Sequence, residues 1–200
     1  MPPDIAFVVA TDETVRAAVY LFREEMAPHE PGGTPRVDER GLRDSLDHTA
    51  IVVAAIDRAR RRVVATARTN LIRHGLVPLY GHLYGLDVLP EAERDVSSVT
   101  TGWAIAPHVG RLDRWTPSDV AIGVAWTLFN IAMQERVRHD YLDCPDAHVP
   151  FFLRLGYRLV RPIQHPSRGR VNLMRLDVFD WTHLAEVASP FLTLATDTRG

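Results

Sequence analysis

The sequence predicts an α+β fold, a central mixed and mostly antiparallel sheet flanked by helices, on one domain spanning 1–200. The first observation behind this is the order of elements: strand, one or two helices, a run of strands, a central helix, then strand, short helix, strand, strand. The second is size and composition. Two hundred residues with 46 % hydrophobic and 24 % charged content suit one ordinary globular domain with a sizeable core. The third is the stretch from Thr116 to Val160. It opens on the helix-start signal Thr116-Pro117-Ser118-Asp119, continues into the strand Asp140–Cys144, and closes with an amphipathic helical turn stopped at Leu155-Gly156-Tyr157.

Each element has its own signal. Ile5 to Ala10 reads as a strand, and Thr11-Asp12 can cap the next helix. Val15, Val19, Phe22 and Met26 recur at helical spacing, which predicts an amphipathic helix over Glu13–Met26. Pro28 to Pro35, with Gly32-Gly33, is a loop rich in breakers, and a short helix is expected over Arg40–Leu46. Ala50–Ile56 and Arg62–Asn70 form two arms of a hairpin around the polar segment Asp57–Arg61. Leu79–Leu86 is apolar and aromatic and is expected to be extended, which would put Tyr80, His82 and Tyr84 on one face. Val99–Ala106 is a strand ended by Pro107. Asp119–Arg138 is the longest helix, with Val120, Val124, Leu128, Ile131 and Met133 facing the core. Thr116 suits its N-cap, Pro117 its first position and Asp119 its first turn. Tyr141–Cys144, Arg158–Pro162 and Val171–Asp177 are further strands, and Trp181–Ala188 is a closing helix.

Composition excludes several classes. A net charge of −2 carries no broad footprint for nucleic acid. The chain has no run of 18 apolar residues, so no membrane span is expected. The start Met1-Pro2-Pro3-Asp4 has no signal-peptide pattern, and the single cysteine, Cys144, allows no internal disulfide. Both suit a cytoplasmic protein. All 23 basic residues are arginines. Codon bias explains this, as does an enzyme of activated acyl groups that avoids exposed primary amines.

Three local patterns carry a resemblance. They are Arg62-Val63-Val64-Ala65-Thr66-Ala67-Arg68, Ala104-Ile105-Ala106-Pro107, and Phe152-Leu153-Arg154-Leu155-Gly156-Tyr157. In order and spacing the chain resembles the Gcn5-related N-acetyltransferase superfamily over nearly its whole length. Tyr20-Leu21-Phe22-Arg23, then Asp44, Asp47 and Arg68, are similar to a subgroup: the long-chain N-acyl amino acid synthases and acyl-homoserine-lactone synthases. The late segment from Cys144-Pro145 through Met174–Val178, with Trp181–Leu184, looks like the N-acyl amino acid synthase type. Two departures stand out. Val109–Thr116 lacks the paired glycines of the pyrophosphate loop, which shifts weight from coenzyme A towards a carrier-protein donor. Thr100, Thr101 and Gly102 stand where the subgroup places acidic and arginine residues, which counts against a homoserine-lactone synthase.

The resemblance implies an N-acyltransferase. It would move an acyl group from an acyl-carrier-protein or acyl-coenzyme A thioester to an amine of an amino acid, peptide or biosynthetic intermediate, in a ternary complex. It implies no tightly bound cofactor and no metal. A free backbone N–H at a strand bulge near Trp103 to Ile105 would stabilise the oxyanion. His82, His108, Asp143 and His148 are candidate acid–base groups. Ile105, Arg111, Arg114, Thr116 and Cys144 would line the donor side, with the free amides of the helix starting at Thr116 beside its phosphate. Arg23, Arg68 and Tyr84 are candidates for the acceptor side, although Arg23 and Arg68 could instead pair with Asp44 and Asp47. Cys144 reads either as an acyl-cysteine or as a small buried core residue. Phe152 stands where many relatives carry a tyrosine proton donor, which leaves Tyr157, Tyr141, His148 or water for that task. A non-catalytic module that binds an acyl ligand or partner is the alternative from outside enzymology.

Overall fold

A computed structural model describes residues 5–27, 45–75, 78–107, 109 and 115–197. The strands are β1 (Ile5–Val9), β2 (Ala50–Asp57), β3 (Arg62–Leu71), β4 (Ser97–Ile105), β5 (His139–Cys144), β6 (Arg158–His165) and β7 (Gly169–Asp177). They form one seven-stranded sheet in the order β1-β2-β3-β4-β5-β7-β6. The helices are α1 (Glu13–Met26), α2 (Pro78–Tyr84), α3 (Glu91–Arg94), α4 (Pro117–Gln134), α5 (Val149–Leu155), α6 (Trp181–Glu186) and α7 (Pro190–Asp197). The sheet is mixed: β4 runs parallel to β5, whereas β1 with β2, β5 with β7 and β6 with β7 are antiparallel.

The chain forms two compact units, 1–69 with 101–128 and 70–100 with 129–200. In the first, Asp12 caps α1 by accepting from the amides of Thr14 (2.7 Å) and Val15 (3.2 Å). The predicted stripe packs inward, with Val19, Phe22 and Met26 buried beside Tyr20 and Arg23. The connection after β2 is held by Asp57, whose carboxylate takes the amide and guanidinium of Arg60. Gly123 of α4 meets Phe7 of β1 so closely that a Cβ there would lie 2.1 Å from the phenyl Cζ. Gly123→Ala is therefore expected to destabilise the protein by about 1–2 kcal/mol in denaturant melts, the helix-propensity gain being outweighed by overpacking.

In the second unit the sharp stop of α5 is Gly156, at φ +111°, with Tyr157 N–H returning to the Phe152 carbonyl at 3.0 Å. This left-handed position lets β6 begin at once. Val99 of β4, Tyr141 of β5, Tyr84 of α2 and Leu173 of β7 belong to one buried apolar cluster.

The structure corrects the sequence reading in one place that matters for the site. Leu79–Leu86 is not extended: it is mostly the helix α2. Tyr80 and Tyr84, four residues apart, therefore share a helical face, with ring centroids 5.4 Å apart. His82 points away, its side chain 91 % exposed. A short strand of apolar residues and a buried helix cannot be separated by periodicity over so few positions. Helices α3 and α7 have no counterpart among the elements that the sequence predicts. The helix expected over Arg40–Leu46 falls largely outside the described residues, which show a 3₁₀ turn over Ser45–His48.

Candidate active site

In the first unit, the 3₁₀ turn Ser45–His48 carries Asp47 into the protein, where its side chain is fully buried. Arg23 from α1 and Arg68 from β3 both reach its Oδ1 at 2.8 Å. Arg68 also donates through Nε to Thr101 Oγ1 at 3.0 Å. Burial pushes the Asp47 carboxyl up, but the charges of Arg23 and Arg68 outweigh it and hold the group below its ordinary value. The structural pairing of these arginines is thus what the fold builds, with Asp47; Asp44 lies outside the described residues.

Gly102, in the middle of β4, has φ +65°. A left-handed residue inside a strand is the signature of a bulge and re-aims the backbone that follows. A Cβ at Gly102 would also meet Arg23 Nη2 at 3.3 Å and Arg68 Cγ at 3.5 Å. Trp103 and Ile105 come next along the strand, each partly exposed. At the start of α4, Thr116 Oγ1 accepts the Asp119 amide (3.1 Å) while Asp119 Oδ2 takes the Thr116 amide (2.8 Å), a reciprocal cap. His108, Arg111 and Arg114 lie outside the described residues.

In the second unit, β5 pairs with β4 through Ser97↔His139, Ser98↔Asp140 and Val99↔Tyr141, and with β7 as far as Cys144↔Asn172. Side chains alternate across the sheet, so β5 presents two different faces. Tyr141 and Asp143 face the side of α2. Asp140, Leu142 and Cys144 face the other side, where Cys144 Sγ touches Met174 Sδ at 3.4 Å and Phe152 stacks edge-on against Tyr157.

Asp143 is the centre of a polar cluster on the α2 side. Nη2 of Arg168 donates to both of its oxygens, at 2.6 and 2.7 Å. Arg168 sits in the turn between β6 and β7; burial disfavours its charge, but the neighbouring Asp143 carboxylate holds it above its ordinary value. His165 at the end of β6 receives the Ser167 amide on Nδ1 at 3.3 Å, which leaves the proton on Nε2. That Nε2 is buried without a hydrogen-bond partner. The imidazole is 7 % exposed; burial first, then the Arg168 charge, keeps it neutral by lowering its pKa. The Tyr84 hydroxyl is buried too, and burial first, then the adjacent Asp143 charge and a hydrogen bond to it, drives its pKa well up. A buried imidazole N–H with no partner, beside a clamped carboxylate, forms a place where a polar ligand group gains more than it would in water.

The structure brings Tyr84 and Asp143 together but not His82 or His148. His82 lies on the solvent side of α2, 3.6 Å from Asp87, and His148 is exposed before α5. Cys144 is buried, and burial first, then the Asp143 charge, pushes its thiol up to about 12, which disfavours the thiolate. Cys144→Ala is expected to leave acyl transfer unchanged; loss of turnover would revive the acyl-cysteine. Tyr157 is spent as well, donating to Asp140 Oδ2 at 2.6 Å in the core.

Asp140 also accepts from Ser98 Oγ (2.5 Å) and Thr100 Oγ1 (2.9 Å). Burial outweighs these three bonds and raises its carboxyl to about 6. The native state therefore holds a proton that the unfolded chain, near 3.8, releases. Stability from this group is full below pH 3.8, declines as pH rises towards about 6, and is flat above. Asp140→Asn should remove that decline, so the variant gains on the wild type by about 3 kcal/mol between pH 4 and 7 in urea titrations.

Sequence reasoning missed Arg168 and His165. Their segment, His165-Pro166-Ser167-Arg168-Gly169, reads only as a turn, and the β6–β7 register alone shows that it reaches Asp143.

No family model matches the chain, and no curated protein matches it by sequence. Solved structures match its fold. FeeM, an N-acyl amino acid synthase from uncultured soil microbes, is 14 % identical with a TM-score of 0.68, over 92 % of this chain and 98 % of its own. The AHL synthase LasI is 13 % identical with a TM-score of 0.67, over 90 % and 93 %. BjaI, a CoA-dependent acyl-homoserine lactone synthase seen with SAM and isopentyl-CoA, is 14 % identical with a TM-score of 0.61, over 93 % and 90 %. The fold is that of the GNAT-like acyltransferases, as the sequence resemblance implied. Among the described residues, no helix is long and apolar enough to cross a membrane, and no group of three or more His, Cys, Asp or Glu could hold a metal ion.

Proposed function

We propose that the protein is an N-acyltransferase that moves an acyl group from an acyl-carrier-protein or acyl-coenzyme A thioester to an amine. The observation that carries this is the Asp143 cluster. It lies on β5 two residues past the last row shared with β4, and combines a clamped carboxylate with the buried Tyr84 hydroxyl and an unsatisfied His165 Nε2. Its fold likeness to FeeM, LasI and BjaI supports the same class.

The amine enters as an ammonium and must lose a proton before it can attack. Asp143, held in one orientation by Arg168, takes that proton, and Tyr84 and His165 hold the acceptor by hydrogen bonds. Nitrogen then attacks the thioester carbon. The resulting oxyanion needs a hydrogen-bond donor, for which the resemblance offers a backbone N–H near Trp103. Collapse expels the thiolate, and the second proton on the attacking nitrogen passes to it through water, which leaves the amide and the free thiol. Arg111 and Arg114 are the sequence's candidates for the donor's phosphate, since the Thr116 amide is already held by Asp119. His82 and His148 keep, at most, a role in carrying protons to solvent.

The test is intact-mass and thiol-release assays with acyl-coenzyme A and acyl carrier protein of graded chain length, each with pooled amino acids. Thiol release that needs an amine supports catalysis. Saturable acyl-ligand binding with no turnover on any donor would establish the binding module instead, which the missing tyrosine at Phe152 favours. Turnover only with S-adenosylmethionine would mark a homoserine-lactone synthase.

A further inference from the structure

A recess lies at the other end of β5 from Asp143, within the same unit, with a volume of about 540 Å³. It is lined by Arg136, Arg138, His139, Asp177, Phe179 and Asp180. That volume falls within the range of sites for small organic ligands.

The charges in it do not balance. Asp177 is already taken by His139 Nδ1 (2.8 Å), Arg158 Nη1 (2.6 Å) and Arg175 Nη2 (3.1 Å). Asp180 is taken by Arg158 Nη2 at 2.7 Å. Arg136 and Arg138 make no ion pair among the described residues. Two carboxylates thus meet four guanidinium groups, and the two unmatched ones are those that line the recess.

Arg136 is also held in an unusual place. It ends α4 in a left-handed conformation, φ +56°, with its N–H returning to Met133 and the Val137 N–H to Ala132. This terminating position favours glycine, and any residue with a Cβ is strained there. Strain at a non-glycine residue whose side chain lines a recess points to a use for that side chain. Arg138 is fixed on the next turn of chain, its N–H on the Val96 carbonyl and its carbonyl accepting from Val178. Phe179, 44 % exposed, supplies an apolar wall and meets Trp181 edge-on at 6.1 Å.

We propose that this recess binds an organic oxyanion, a phosphate or carboxylate on an apolar or aromatic body. Arg136 and Arg138 take the oxyanion through their forked donors, and Phe179 packs against the body. The site stands apart from the Asp143 cluster and does not depend on acyl transfer.

Phenyl phosphate, benzoate and inorganic phosphate, titrated at fixed ionic strength and read by calorimetry and by shifts of the His139 and Phe179 ring signals, test it. Phenyl phosphate or benzoate is expected to bind saturably, with shifts confined to this recess. Arg136→Gly and Arg138→Gln should each weaken binding at least about tenfold. Arg136→Gly should unfold at the same or higher denaturant, which separates lost binding from lost fold. Phe179→Ala should weaken phenyl phosphate and leave inorganic phosphate unchanged. Absence of saturable binding by the aromatic anions, or binding indifferent to both arginine variants, would overturn the proposal. So would inorganic phosphate binding as tightly as phenyl phosphate. Because no turnover is read, its failure leaves the acyltransferase assignment untouched, and the reverse holds too.

Discussion

Asp143→Asn is expected to lower amine-dependent turnover by about 10²–10⁴-fold, the contribution of a positioned general base. The substitution keeps shape and one acceptor oxygen for Arg168, whose Nη2 now bridges both carboxylate oxygens. The fold should survive, as a denaturant melt would show. Donor binding should survive too, since the change affects proton removal from the incoming amine. The signature that separates a base from a merely structural carboxylate is pH rescue. As pH rises towards the amine's own pKa, more acceptor arrives unprotonated, and the deficit of the variant should shrink. Turnover near the wild-type value, or a loss that stays constant with pH, would remove Asp143 from the chemistry. Arg168→Gln gives a milder version, because it frees the carboxylate without deleting it.

The largest loss of stability should come from Asp47→Ala, at about 3–5 kcal/mol. Asp47 is buried and is reached by two guanidinium groups on one oxygen, and deleting it leaves Arg23 and Arg68 facing each other. Repulsion between them then adds to the cost of the lost ion pairs. Acidification should imitate the mutation. The native carboxyl titrates below its ordinary 3.8, so its stabilisation is present above that value and lost as pH falls through the lower native one. Acid unfolding of Asp47→Ala should therefore lose most of this steep low-pH limb. If urea midpoints of the variant match the wild type at pH 7, the cluster is not the brace that its geometry implies.

Much of this was legible in the chain. The Thr116-Pro117-Ser118-Asp119 start marks α4 because a cap and a first-turn carboxylate satisfy free amides using neighbours in sequence. Leu155-Gly156-Tyr157 marks the end of α5 because only glycine sits easily at φ +111°. Asp143 and Tyr84 were both marked as site candidates, and Arg23, Arg68 and Asp47 as a group. Leu79–Leu86 was misread because its aromatic residues suit a strand and a buried helix alike. His82 fell out of the site with that error.

The sequence by itself determined what local chemistry fixes: the caps, the stops, the alternating strands, and hence the fold class and the acyltransferase likeness. The tertiary structure alone decided which distant side chains share a volume. Arg168 reaches Asp143 across 25 residues, and Tyr157 reaches Asp140 across 17. Such pairings follow from sheet register and helix packing, which leave no periodic trace in the residues that they bring together.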